Sequence, residues 1–440
     1  MNSTALVWFR RDLRVHDHPP LRAALDAHER VVPVFVLDDR LLAGRHASGG
    51  RTRFLLECLE DLRAALVQRG GNLVIARGTP ERELPKLAER YGATAVYFAS
   101  DASPFAMRRD QRVEAALRTH SIEPHRTPGN FVADIGKPRP YAVFTPFWRA
   151  WRELPRREIH GAPRVVTVPS DLVAGEIPRL QLSDLVADPL PGGETHARRR
   201  MNAWLRDGIG RYAERHDRVS GGTSMLSPYL HFGCVSAREL EEKAGRHDAY
   251  TRQLAWRDFY AHVLLHHPDN ARHAYRRELD AIDWDGRDEH FDAWREGRTG
   301  YPIVDAGMRE LKTTGWMHNR ARLITACFLV KDLHIDWRRG EQHFMRLLLD
   351  GDEANNNGNW QWISSVGVDP APVSRRLYNP VLQQQRHDPR GEYVRRWVPE
   401  LEDVPLEQLA TPWEAGHEDP IVDHAVERRR TLDAYAAARS

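Results

Sequence analysis

Asp350–Trp362, DGDEANNNGNWQW, is the stretch on which the reading of the second half of the chain turns. Three consecutive asparagines, Asn355–Asn357, followed by Gly358 are poor helix-interior residues. Short amide side chains compete for the backbone, and glycine adds chain entropy. Such a run inside a region of helical period calls either for a turn or for a set of amides facing a polar, planar ligand. Trp360 and Trp362, two positions apart, point in different directions, so one can face a ligand while the other faces a second site. Upstream lies Trp316–Leu323 (WMHNRARL), in which Arg322 is placed to pair with Asp350 across two helices.

Outward from this stretch the pattern is helical. Ser236–Ala244, Tyr250–His266, Ile303–Lys312, Arg320–Leu333 and Gly340–Leu349 carry apolar residues at helical spacing, and strand signals are nearly absent. Residues 196–440 therefore read as an all-α domain. Residues 131–195 read as a connector, because six prolines fall between Pro155 and Pro191 and periodicity fades there. The first 130 residues differ. Thr4–Phe9, Val31–Leu37, Asn72–Ala76 and Thr94–Phe98 are short, apolar and rich in β-branched or aromatic residues. They alternate with the helical runs Arg51–Arg69 and Pro80–Tyr91, which predicts an α/β domain with a parallel sheet. No G-x-G-x-x-G follows the first strand, so a dinucleotide held by that device is not expected in this half.

Composition narrows the function classes. A chain of 440 residues with 41% hydrophobic and 29% charged residues reads as soluble, globular and multidomain. It has no apolar run of 18 residues and no secretory leader, which points to the cytoplasm and away from a membrane. Cys58, Cys234 and Cys327 are scattered and odd in number, which argues against a disulfide framework, a zinc site or an iron–sulfur cluster; no metal site is expected. A net charge of +2 does not demand a nucleic-acid partner. Ten of the 13 tryptophans lie beyond position 200, an unusual aromatic load for the helical half. Thr223–Ser227 (TSMLS), after Gly221–Gly222, suits either close approach to a phosphate or a helix cap at Thr223 or Ser224.

Taken together these motifs resemble the photolyase/cryptochrome family, and within it the bacterial class I cyclobutane pyrimidine dimer photolyases. The resemblance rests on Val7–Arg14 (VWFRRDLR), Phe144–Trp151 (FTPFWRAW), Gly221–Ser227, Thr299–Asp305 (TGYPIVD), Gly315–Arg320 (GWMHNR), Phe328–Trp337 (FLVKDLHIDW), Asp350–Trp362 and Gly391–Leu401 (GEYVRRWVPEL). It implies light-driven repair of UV-damaged DNA by a monomeric, FAD-dependent enzyme; the rival reading is a cryptochrome-like photoreceptor. By motif, Tyr212, Thr223, Ser224, Met225, Leu226 and Ser227 would hold the FAD phosphates and ribose. Arg257, Asn319, Arg322, Asp350, Gly351, Asp352, Asn356 and Asn357 would contact the rest. Asn356 falls at the position facing the flavin N5, where an amide, unlike an aspartate, offers no ready proton. Trp360, Trp337 and Trp284 match the family's electron-transfer series.

The resemblance places substrate contacts at Gln253, Trp256, Arg257, Asn319, Arg320, Leu323, Trp362 and Gln383, with one of Arg375 or Arg376 near the DNA. The family flips the damaged dinucleotide out of the duplex. Two positions depart from the class I pattern. Gln253 stands where those enzymes carry a glutamate, and Leu323 where they carry a methionine. Glutamine keeps a donor and an acceptor but loses charge, and Leu for Met nearly conserves volume. Asn319 and Leu323 occupy the positions at which (6-4) photolyases use two histidines, which excludes that repair chemistry. An antenna chromophore is expected in the first domain at Val36, Asp38, Arg51 and Asp101. Phe105–Ala106 stand where folate-binding members carry Asn-Glu, so a deazaflavin is favoured over a folate.

Overall fold

The computed structural model describes residues 3–438. Near the N-terminus five parallel strands form one sheet in the order β3-β2-β1-β4-β5: β1 (Thr4–Phe9), β2 (Arg30–Leu37), β3 (Val74–Arg77), β4 (Ala93–Ala99) and β5 (Glu123–Thr127). The central strand β1 is buried along its whole length, as a parallel sheet covered on both faces requires. Leu6, Trp8, Val32, Val34, Val96 and Phe98 meet Leu84 and Ala88 of the helix Pro80–Tyr91 and Val113 and Leu117 of the helix Pro104–Thr119. Strand β5, EPHRT, carries no apolar signal because it lies at the sheet edge with its side chains partly exposed.

The chain divides into two compact units. One takes in the chain up to Leu185, Leu190–Ile209 and Ser224–Pro268; the other takes in Val186–Pro189, Gly210–Thr223 and the chain from Asp269 on. This division differs from a single boundary at residue 196, because the helix Asp248–His266 belongs with the sheet-bearing unit. The reason lies at Asp258, wholly buried. Its Oδ2 accepts from the backbone N–H of Val132 (3.0 Å) and Ala133 (3.3 Å) and from Trp151 Nε1–H (3.0 Å). His262 adds a second pin, accepting from Tyr141 N–H at 3.0 Å. The loop after β5 is thus clamped to this helix. Within the stretch read as connector, Phe144–Glu153 is a helix, and no helix or strand occurs from 154 to 193.

The second unit contains helices and no strand among the described residues. Its core joins Ile303, Val304 and Leu311 of the helix Pro302–Thr314 to Ile324, Phe328 and Leu329 of Asn319–Lys331, with Trp337, Phe344, Trp360 and Ile363. The asparagine run is not a turn: it lies inside the helix Glu353–Ile363. Side-chain bonds compensate the poor propensity. Asp352 caps the helix, its Oδ1 accepting from Asn355 N–H (2.9 Å) and Asn355 Nδ2 (2.8 Å), while Gln361 Nε2 donates to Asn357 Oδ1 (3.0 Å). Tertiary packing then overrides intrinsic preference.

Candidate functional site

In the second unit three helices, Asn319–Lys331, Trp337–Leu347 and Glu353–Ile363, carry most of the expected residues. His318 caps the first, its Nδ1 accepting from Arg320 N–H at 3.1 Å, which fixes the start of Asn319–Leu323. Arg322 forks onto Asp350, Nη1 to Oδ1 at 3.0 Å and Nη2 to Oδ2 at 2.8 Å, and its Nε donates to the Met317 carbonyl at 2.8 Å. That two-point geometry orients both groups as a rigid planar element. Asn356, buried, donates through Nδ2 to the Glu341 carbonyl (2.9 Å) and to Glu341 Oε1 (3.1 Å). These bonds fix the amide so that its oxygen is the acceptor it presents. Nothing in the sequence singled out Glu341; only the helix-to-helix approach reveals it. A fixed guanidinium–carboxylate pair and, on another helix of the same unit, an oriented neutral amide are groups that suit the edge of a flavin ring, with its alternating N–H and C=O groups, so these residues fit FAD.

The three expected redox tryptophans differ in burial. Trp360 and Trp337 are each 2% exposed, whereas Trp284 is half-buried, its ring 6.5 Å from that of Tyr435. Trp360 packs edge-on against Phe344 (5.0 Å) and Trp294 (6.4 Å). Its six-membered ring lies over Gly340, where a Cβ would stand 2.2 Å from Cη2. Gly340 is therefore a required companion of Trp360 that periodicity could not reveal.

Of the substrate candidates in this unit, Arg320 Nη2 pairs with Asp217 at 2.7 Å, Asn319 is exposed, and Leu323 and Gln383 are partly buried. Trp362 is half-buried beneath the guanidinium of Arg376, 4.2 Å from its ring centre. Arg376 is buried and Arg375 exposed, which separates two neighbours that the sequence left equivalent.

In the sheet-bearing unit, the helix Asp248–His266 carries Gln253, Trp256 and Arg257. Gln253 is exposed and Trp256 half-buried. Phe144 stacks on Trp256 with centroids 3.8 Å apart and planes within 6°. Arg257 donates to the carbonyls of Asn130 (2.7 Å) and Leu230 (3.4 Å), so part of its donor capacity holds the backbone of its own unit. Ser224 and Thr223 cap no helix. The helix Ser227–Phe232 starts after Leu226 without a side-chain cap, while Ser224 Oγ accepts from Tyr250 O–H at 3.0 Å and from Leu226 N–H at 3.4 Å. Met225 takes a positive φ of 51°, turning the chain sharply there. Tyr212 and Thr223 fall in the other unit, where Tyr212 is buried.

Of the antenna candidates, Arg51 lies in the first turn of the helix Gly49–Val67, and Val36, Asp38 and Asp101 lie at the C-terminal ends of β2 and β4. In open parallel sheets ligands bind there, at the point where strand order reverses, here between β1 and β4. Asp101 follows β4, and the guanidinium groups of Arg10 and Arg109 lie 4.6 and 4.8 Å from the Trp8 ring centre, with Arg10 Nη1 on Asp110 at 2.6 Å. Asp38 caps the short helix after β2 and holds Arg40 at 2.6 Å; Val36 and Arg51 are buried. Arg10, Arg40 and Arg109 were not singled out in the sequence.

Burial governs titration near the second unit's helices. It pushes the Glu310 carboxyl up to about 7, although Tyr393 O–H (2.6 Å) and His318 N–H (3.2 Å) favour its anion. It pulls His318 down to about 4, which keeps that imidazole neutral at pH 7.

Two family models match the chain: "DNA photolyase" over residues 5–165 and "FAD binding domain of DNA photolyase" over residues 250–437. A deoxyribodipyrimidine photo-lyase of Streptomyces griseus is 43% identical, the match covering 97% of this chain and 98% of that protein. The crystal structure of a bacterial class III photolyase from Agrobacterium tumefaciens superposes with a TM-score of 0.91 at 33% identity, covering 100% of this chain and 98% of the other. An archaeal photolyase from Sulfolobus tokodaii, solved with two FAD molecules, superposes with a TM-score of 0.90 at 31% identity, covering 99% and 100%.

Proposed function

This chain belongs to the DNA photolyase family, and from that premise we propose that it repairs cyclobutane pyrimidine dimers in UV-damaged DNA with light, using bound FAD. The observation that carries this reading is the conjunction, in one helical unit, of the Arg322–Asp350 fork, the oriented Asn356 amide and the buried Trp360. When bound and reduced, FAD would supply the light-excited electron that opens the cyclobutane ring and would take it back once the two pyrimidines separate, leaving no net redox change.

The chain's own residues prepare that event. Arg322 and Asp350 hold the ring edge, and Asn319, Gly351, Asp352 and Asn357 line the same ligand. Asn356 presents an amide, which offers no acidic proton. Tyr212 and Thr223 of this unit are assigned to the phosphates and ribose. Trp360, Trp337 and Trp284 serve as the series of oxidisable rings, a reading supported by the burial of the first two and the partial exposure of Trp284. Trp362 offers an aromatic face to the flipped dimer; such stacking contributes about 1–3 kcal/mol per base. Gln253 hydrogen-bonds the pyrimidine edge, and exposed Arg375 with Arg320 and Gln383 serves the DNA. A deazaflavin antenna is assigned to the strand ends near Val36, Asp38, Arg51 and Asp101; a flavin antenna is the alternative, since the Sulfolobus photolyase was solved with two FAD molecules.

The test is direct. Reduced protein is mixed with dimer-containing oligo(dT) and illuminated in the blue or near-UV, with a dark control, while absorbance of restored thymine is followed. Light-dependent recovery is expected. No recovery above the dark control, with FAD bound, would favour the photoreceptor reading.

A further inference from the structure

Trp362 is tied at three places, two on its indole and one on its backbone. Its Nε1–H donates to Asp369 Oδ2 at 3.1 Å, its carbonyl accepts from Arg376 Nη1 at 3.0 Å, and the Arg376 guanidinium covers one face at 4.2 Å. The same Asp369 oxygen binds Arg376 Nη2 at 2.8 Å, closing a triangle of indole, carboxylate and guanidinium. Each corner is anchored in turn. Asp369 Oδ1 accepts from Ala371 N–H at 2.8 Å, and its carbonyl accepts from Arg276 at 2.7 Å. The Arg376 carbonyl accepts from Lys331 Nζ at 2.6 Å and from Cys327 Sγ at 3.2 Å.

Lys331 is the unexpected member. It is wholly buried, its Nζ also reaches Ser365 Oγ at 3.4 Å, and no carboxylate pairs with it among the described residues. Burying an ammonium without an ion-pair partner is costly, and a methionine would fill similar space. Its nitrogen therefore has a task beyond packing, and the atom it holds belongs to the residue stacked on Trp362. Burial lowers the Lys331 pKa only to about 8, so the ammonium persists at neutral pH.

We propose that Asp369, Arg376 and Lys331 are positioning residues that lock the plane of Trp362, and that this lock sets the preference for dimer-containing over intact DNA. This rests on the reading of Trp362 as a pocket wall. An indole fixed on edge, face and backbone loses no further freedom when a base stacks against it, so more of the stacking energy appears as affinity. Intact DNA, bound through its backbone, gains nothing from the lock.

The experiment compares Asp369→Asn, Arg376→Lys and Lys331→Met in the FAD-loaded protein. Dissociation constants are measured for an oligonucleotide with one thymine dimer and for its intact counterpart, together with FAD content and repair rate at saturating DNA. Each variant is expected to weaken dimer binding by about tenfold, within what loss of a stacked base produces. Intact-DNA affinity, FAD content and the saturated rate are expected to stay at wild-type values. Arg376→Lys keeps charge but not the planar fork, so it is not expected to rescue. In a Trp362→Phe background, which lacks the Nε1–H, Asp369→Asn is expected to lose most of its effect. Wild-type dimer affinity in Asp369→Asn, a parallel fall for intact DNA, or an undiminished effect in the Trp362→Phe background would overturn the proposal. Trp362→Ala separates the two readings: if it leaves dimer affinity unchanged, the pocket-wall reading fails first; if it weakens binding while Asp369→Asn does not, only the lock fails. Should Lys331→Met not fold, the Asp369→Asn cycle decides alone.

Discussion

Gly340→Ala is a one-carbon change aimed at the electron series. A Cβ at position 340 would lie 2.2 Å from Trp360 Cη2, 2.6 Å from Cζ3 and 2.4 Å from Leu329 Cδ2. Ordinary contact begins at 3.4 Å, so the indole must retreat by 3.4 − 2.2 = 1.2 Å or the helix Trp337–Leu347 must move with it. Overpacking of this kind costs about 1–3 kcal/mol, against which alanine recovers about 1 kcal/mol of helix propensity over glycine. The net expectation is a destabilisation of up to about 2 kcal/mol, with Trp360 displaced from the contact it now makes. The assay is light-driven reduction of oxidised FAD in the presence of a thiol, followed by flavin absorbance. The variant should retain FAD and photoreduce several-fold more slowly. Two of the three clashing atoms belong to the six-membered ring of the indole and the third to Leu329, so in a Trp360→Phe background Gly340→Ala should destabilise less. Wild-type photoreduction together with the same stability cost in both backgrounds would refute this reasoning.

Three further outcomes are expected. Gln253→Glu restores a charged acceptor, and since a charged hydrogen bond exceeds a neutral one by about 1 kcal/mol, dimer affinity or repair should improve by about fivefold; a variant that repairs no faster removes the account of this position. Trp337→Phe should block photoreduction of oxidised FAD yet leave repair by chemically reduced enzyme intact, and equal photoreduction would exclude it from the series. Glu310, raised from 4.5 to about 7, binds its proton more tightly in the fold, so the stability it contributes is complete below pH 4.5 and is lost as pH rises through about 7. Relative to Glu310→Gln, the wild type should lose about 3 kcal/mol over that interval, at about 1.4 kcal/mol per pH unit; a flat difference in denaturation curves would show the carboxyl to be unperturbed.

Strands β1, β2 and β4 announce themselves through apolar runs, because burial on both faces leaves no room for polar alternation. Strand β5 does not, since an edge strand can be polar. The asparagine run was legible as a functional anomaly but not as a helix, because the bonds that rescue it, from Asp352 and Gln361, exist only once the helix forms. The Arg322–Asp350 pair could be anticipated from charge and spacing. Glu341, Gly340, Asp369 and Lys331 could not, because each acts on a residue distant in sequence or on a backbone carbonyl, and carbonyls have no sequence signature. The assignment of Asp248–His266 to the sheet-bearing unit was hidden for the same reason: Asp258 binds two backbone amides.

The central claim, that this chain recognises a pyrimidine dimer and removes it with light, is tested most directly on one labelled oligonucleotide carrying a single dimer. Anisotropy is recorded with reduced, FAD-loaded protein in the dark and again after saturating blue light. The account predicts tight binding in the dark and a fall to the affinity of intact DNA after illumination, as the substrate becomes product. Binding that does not distinguish dimer from intact strand, or a complex that persists unchanged through illumination, would contradict it.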